Sequence, residues 1–127
     1  NIISKKRAVM SKYVKYFHKK KFIKYYSTDR NEEINSNWLF NIIFNFELDI
    51  DELIVHLNGK QIDTRRIFYP LHLMPPYSQF RRSNKMKKTC NASNQGICLP
   101  SSSNLSSKDL DRVISEIDLF LRKKFNA

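Results

Sequence analysis

Residues 62–77 read Ile62-Asp63-Thr64-Arg65-Arg66-Ile67-Phe68-Tyr69-Pro70-Leu71-His72-Leu73-Met74-Pro75-Pro76-Tyr77. The first part, Ile62–Phe68, is predicted to be a strand. Pro70, Pro75 and Pro76 then remove backbone donors, so Tyr69–Tyr77 is expected to be an ordered loop without regular structure. Prolines also reduce the entropy lost on ordering, so such a loop can hold side chains in fixed positions. His72 stands inside it with aromatic residues at both ends. An imidazole and a phenol held this way suit hydrogen bonding to a sugar or phosphate. A loop that merely lids the core has the same composition.

Upstream, Trp38, Phe40, Ile42, Phe44 and Phe46 alternate with Leu39, Asn41, Ile43 and Asn45, the period of a strand with one apolar face. Asp49 and Glu52 form a capping-box pair, and Ile50, Leu53, Ile54 and Leu57 follow at helical spacing with Gly59 as the expected stop. Residues 2–22 predict a further helix, with Ile3, Met10, Tyr13, Val14 and Phe17 on one face and lysines mostly on the other. A polar linker spans Ser27–Asn37.

Downstream, a helical segment around Asn84–Asn94 leads to Gly96 and a short strand at Ile97–Leu99. Ser106 and Asp109 then open a helix whose face is Leu110, Val113, Ile114, Ile117, Leu121 and Phe125. This order predicts an α+β fold, a small and mostly antiparallel sheet covered by helices on one face.

With 127 residues, 41% of them hydrophobic, the chain suits one domain with a real core. Only two glycines occur, which excludes the Gly-rich loops that cradle phosphates. The net charge of +11 invites a nucleic-acid reading, with lysines gathered in residues 5–24 and a second group at Arg81, Arg82, Lys85, Lys87 and Lys88. The residues favoured by AT-rich codons are abundant, however, and coding bias raises lysine content without any polyanion partner. Cys90 and Cys98 match no metal-ligand spacing. They read as free thiols of a reducing compartment, so the chain is expected in the cytoplasm, with no membrane partner.

Candidate chemistry is sparse. No H-E-x-x-H, G-x-S-x-G or paired-carboxylate spacing appears. His18 and His56 fall on predicted helices, where surface or packing roles account for them. The acidic group Asp49, Asp51 and Glu52 fits the positive end of a helix. No catalytic and no metal-binding residue is assigned.

The string from Ile62 to Tyr77 resembles the I-E-T-R…Y-P-x-H-x-x-P-P-Y signature of the DegT/DnrJ/EryC1/StrS sugar aminotransferases. Leu48–Gly59 is similar to the family's R-D-E-L-I-x-x-L-x-x-x-G-I helix, although Asn58-Gly59-Lys60-Gln61 here precedes Ile62. Gly96-Ile97-Cys98-Leu99-Pro100-Ser101-Ser102-Ser103-Asn104-Leu105-Ser106 resembles G-[IL]-x-L-P-[SC]-x-x-N-L-[ST], and Lys5-Lys6-Arg7 resembles the start of the helix linking the family's two domains. Met74-Pro75-Pro76-Tyr77 and the tail from Leu99 to Ser106 look closest to the perosamine-synthase-like branch.

The resemblance implies the C-terminal small domain of a fold-type I aminotransferase dependent on pyridoxal phosphate. Residues 1–26 would be the linking helix from a large domain, and 27–127 the small domain. The Schiff-base lysine would lie in that large domain, which the start at Asn1 within a helix leads one to expect upstream. Also implied are a nucleotide-linked 4-keto-6-deoxy sugar as substrate, glutamate as amino donor and a homodimer. His72, Tyr69 and Tyr77 would border the sugar nucleotide, with Arg65 in a supporting role. The alternatives are a basic nucleic-acid-binding module and a non-catalytic remnant used for protein contacts.

Overall fold

In the computed structural model, which describes residues 1–26, 35–80 and 86–125, the first helix (α1) runs over Ile2–Phe17. The bulk of the polar linker and the Arg81, Arg82, Lys85 group lie outside the described residues, as does Asn84. Val9, Met10, Tyr13 and Phe17 form the buried stripe of α1, while Ile3 faces solvent. The helix ends sooner than expected. Lys20 N–H donates to Phe17 O at 3.0 Å and Ile23 N–H to Lys20 O at 3.1 Å, turning the chain into a strand (β1) at Ile23–Tyr26. Residues 23–26 are β-branched or aromatic apart from one lysine, and pairing with a neighbour outweighs their helical tendency.

That neighbour is β2, Phe40–Phe44, which is shorter than the alternation implied. With β3 at Arg65–Arg66 and β4 at Gly96–Leu99 it forms a four-stranded sheet in the order β1-β2-β4-β3. Every pairing is antiparallel, and Phe40 faces Leu99 and Ile42 faces Ile97 in the β2–β4 register. The α+β class with a small antiparallel sheet is therefore the observed one. Phe40, Ile42 and Phe44 point into a core shared with α1, where the Tyr13 and Phe40 rings stack with centroids 4.8 Å apart. Each fully buried side chain of this kind stabilises by about 1.5–3 kcal/mol relative to exposure.

The same core takes Ile50, Leu53 and Leu57 from α2 (Ile50–Gly59) and six residues from α4 (Ser107–Phe125), Leu110, Val113, Ile114, Ile117, Phe120 and Leu121. Asp49 caps α2 by accepting from Glu52 N–H at 3.0 Å, but the Glu52 carboxylate turns to Lys124 instead of closing a capping box. The box at α4 is complete: Ser106 N–H donates to Asp109 Oδ2 at 2.9 Å and Asp109 N–H to Ser106 Oγ at 3.1 Å. α2 ends at Gly59 as expected, but not through a left-handed glycine. The left-handed residue is Gln61, with φ of 58°, and Ile62 N–H returns to Leu57 O at 3.0 Å. This turn and the prolines beyond cut the expected strand at Ile62–Phe68 to the two residues of β3.

Helices do not lie on one face alone. Every residue of β4 is buried, including Gly96 and Cys98, which alternate away from the core. A Cβ added at Gly96 would overlap Ile67 Cδ1 and the Ala92 carbonyl. Ile67 and the third helix, α3 (Lys87–Gln95), thus cover the second face, and glycine at 96 permits their approach.

Candidate substrate-binding loop and cleft

The prolines sit where a turn needs no donor. Pro70 precedes a 3₁₀ turn at Leu71–Leu73, and Pro75 opens a second one at Pro75–Phe80. Leu73 N–H donates to Pro70 O, Met74 N–H to Leu71 O and Tyr77 N–H to Met74 O, each at 3.0 Å. The segment expected to lack regular structure is therefore a pair of tight turns.

Within it His72 is turned inward. Its side chain is only 8% exposed, and Nε2 lies 3.6 Å from Cys90 Sγ on α3. Tyr69 and Tyr77 are 58% and 45% exposed on either side. The loop thus pairs two outward phenols with one imidazole that fastens it to the helix behind.

Arg65 is separate from this group. It lines a cleft of about 450 Å³ bounded by residues leading into β3, by Pro100–Ser102 after β4, and by Asp109, Arg112 and Val113 of α4. None of His72, Tyr69 or Tyr77 lines that cleft. The adjacent Arg66 is engaged, its Nε donating to Asp51 Oδ1 at 2.7 Å. This bond holds the Asp51 carboxyl below its ordinary range. Across the strand pair, burial raises the Cys98 thiol, partly offset by the Arg65 charge. A few of the cations elsewhere are matched locally, with Lys12 2.6 Å from Asp111 and Lys20 3.8 Å from Asp118.

Two residues of this region escaped the sequence reading. Trp38 was expected on the buried strand face, but its indole is 64% exposed and its ring lies 6.1 Å from that of Phe68. Its carbonyl accepts from Lys6 Nζ at 2.9 Å and Ser101 Oγ at 3.0 Å, after a left-handed Asn37. An asparagine directly before a lone tryptophan was the available signal, since asparagine tolerates that conformation. The other is Thr64, buried beside Arg65, whose Oγ1 has no hydrogen-bond partner among the described residues.

Among the described residues no three His, Cys, Asp or Glu side chains form a metal cluster, and no helix is long and apolar enough to cross a membrane.

Comparison with known proteins gives a consistent result. GDP-perosamine synthase of Caulobacter vibrioides is 35% identical over 72 residues, covering 56% of this chain and 19% of that protein. The Vibrio cholerae GDP-perosamine synthase is 31% identical over 101 residues, covering 78% of this chain and 26% of its own length. The chain thus spans about a fifth to a quarter of these relatives. Among solved structures, the aminotransferase TlmJ from Streptoalloteichus hindustanus superposes with a TM-score of 0.79 at 18% identity, over 95% of this chain and 32% of that one. DesV of S. venezuelae, solved with a ketimine intermediate, gives 0.78 at 21% identity, over 92% and 31%. Both share the fold. The profile of the DegT/DnrJ/EryC1/StrS aminotransferase family matches residues 1–118. The chain belongs to that family.

Proposed function

We infer that the chain is the C-terminal part of an aminotransferase that acts on a nucleotide-linked 4-keto-6-deoxy sugar in amino-sugar biosynthesis, and that its task is substrate recognition. The family match over residues 1–118 carries this reading. The likeness to GDP-perosamine synthases favours a sugar nucleotide over other carbonyl substrates. Glutamate is the amino donor in this reading, and the complete cytoplasmic enzyme is a homodimer.

Pyridoxal phosphate, the cofactor of such an enzyme, supplies the electron sink for transamination. Anchoring it takes a lysine amine at the wall of a cleft. Among the described residues no lysine lines the cleft at Arg65, and Lys6, Lys12 and Lys124 are bound to Trp38 O, Ser107 and Glu52. The cleft at Arg65 does not fit the cofactor's anchoring site, and we assign its lysine to a large domain outside this chain.

In this reading Tyr69 and Tyr77 border the sugar nucleotide, and His72 sets the height of the loop between them. Arg65 supports the site from the neighbouring cleft. Tyr69→Phe and Tyr77→Phe, made in the complete enzyme, should each raise KM for the keto sugar about threefold to tenfold, the size of one lost hydrogen bond. KM unchanged in both variants would remove the loop from the site.

A further inference from the structure

Two features of the cleft at Arg65 point to a ligand. Thr64 is 6% exposed and lines the cleft, yet its Oγ1 has no hydrogen-bond partner among the described residues. A buried hydroxyl left unpaired is destabilising, and native structures rarely retain one without a use for it. Rotation about Cα–Cβ would move Oγ1 to either of two other staggered positions.

The second feature is a contrast between neighbours. Arg66 is bonded to Asp51 at 2.7 Å, whereas no hydrogen bond or ion pair joins the Arg65 side chain to any described residue. Arg112 faces the same cleft and gives Nη2 to the Lys60 carbonyl, so its other N–H groups remain available. Ser101 and Ser102 add hydroxyls to the wall. A guanidinium presents paired donors that match the oxygens of a carboxylate or phosphate.

We propose that this cleft binds the oxygens of a single carboxylate or phosphate group, with Arg65 and Arg112 as the cations and Thr64 as the hydroxyl donor. Asp63 and Asp109, on the same lining, select against extended polyanions, since a second phosphate would meet their charge. A volume of about 450 Å³ suits a small molecule. The site shares Arg65 with the substrate reading but requires neither cofactor nor sugar.

The test is an amide NMR titration of the 127-residue chain at fixed ionic strength, with inorganic phosphate in one arm and succinate in the other. A saturable shift of Thr64, Arg65, Ser101 and Ser102 is expected in at least one arm, and the responding arm identifies the head group. Arg65→Gln, at an exposed position, should weaken binding at least about tenfold. Thr64→Val should weaken it about threefold to tenfold and raise Tm without ligand, because it removes the unpaired hydroxyl. His72→Ala should leave the titration unchanged, which separates this site from the loop. Absence of a saturable shift in both arms, or one that Arg65→Gln leaves intact, would overturn the proposal.

Discussion

His72 Nε2 lies 3.6 Å from Cys90 Sγ, so the proline-framed loop is fastened to α3 by the side chain most open to a functional reading. A thiol–imidazole contact of this length is a modest tie. Around a nearly closed imidazole it also fixes the ring's direction. Cys90→Ala should lower stability by about 1 kcal/mol in urea unfolding, and Cys90→Ser should recover part of the loss by keeping a polar partner.

Gly96→Ala should be among the most damaging small changes. The added methyl meets Ile67, which has rotamers to yield, and the Ala92 carbonyl, which is backbone and has none. A loss of about 2–3 kcal/mol is expected, and Ile67→Ala should fail to rescue it. Thermal unfolding of the single and double variants checks both points.

The end of α2 should accept improvement. Gly59 is helical with open space where a Cβ would go, so Gly59→Ala should stabilise by about 0.5–1 kcal/mol. Gln61 holds the left-handed position at φ 58°, and Gln61→Gly should gain a similar amount. The two effects, read by denaturant midpoint, should be opposite to those expected if Gly59 held the left-handed position.

Acid should weaken the fold through two carboxylates. A hydrogen bond from Arg66 lowers Asp51, and bonds from the Ser106 hydroxyl and backbone lower Asp109, both from an ordinary value of 3.8. A depressed folded pKa contributes stability that is fully present above the unfolded value and is lost as pH falls through the folded one. The loss should therefore fall below about pH 4. Arg66→Gln and Ser106→Ala should each flatten the pH dependence of Tm there while leaving the profile between pH 6 and about 8 parallel to wild type.

Much of the fold was legible because its signals are local. The buried stripe of α4 from Leu110 to Leu121 and its Ser106–Asp109 box stand in the structure as the periodicity implied. The losses came where tertiary pairing decides. Ile23–Tyr26 became an edge strand because Phe44 to Ile42 lay ready to pair with it. Trp38 left the alternation because β2 begins two residues later, at Phe40. At the candidate site, the string from Ile62 to Tyr77 drew attention to one segment, but spacing could not show that His72 turns inward while Arg65 faces a different cleft. That division depends on α3 and α4, which are distant in sequence from both.

We propose that this loop chooses the substrate of a sugar aminotransferase, and His72→Ala in the complete enzyme tests that role most directly. With a nucleotide-linked 4-keto-6-deoxy sugar and glutamate, kcat/KM should fall at least about tenfold, while thermal unfolding shows the variant still folded. A folded variant with unchanged kcat/KM would contradict the account.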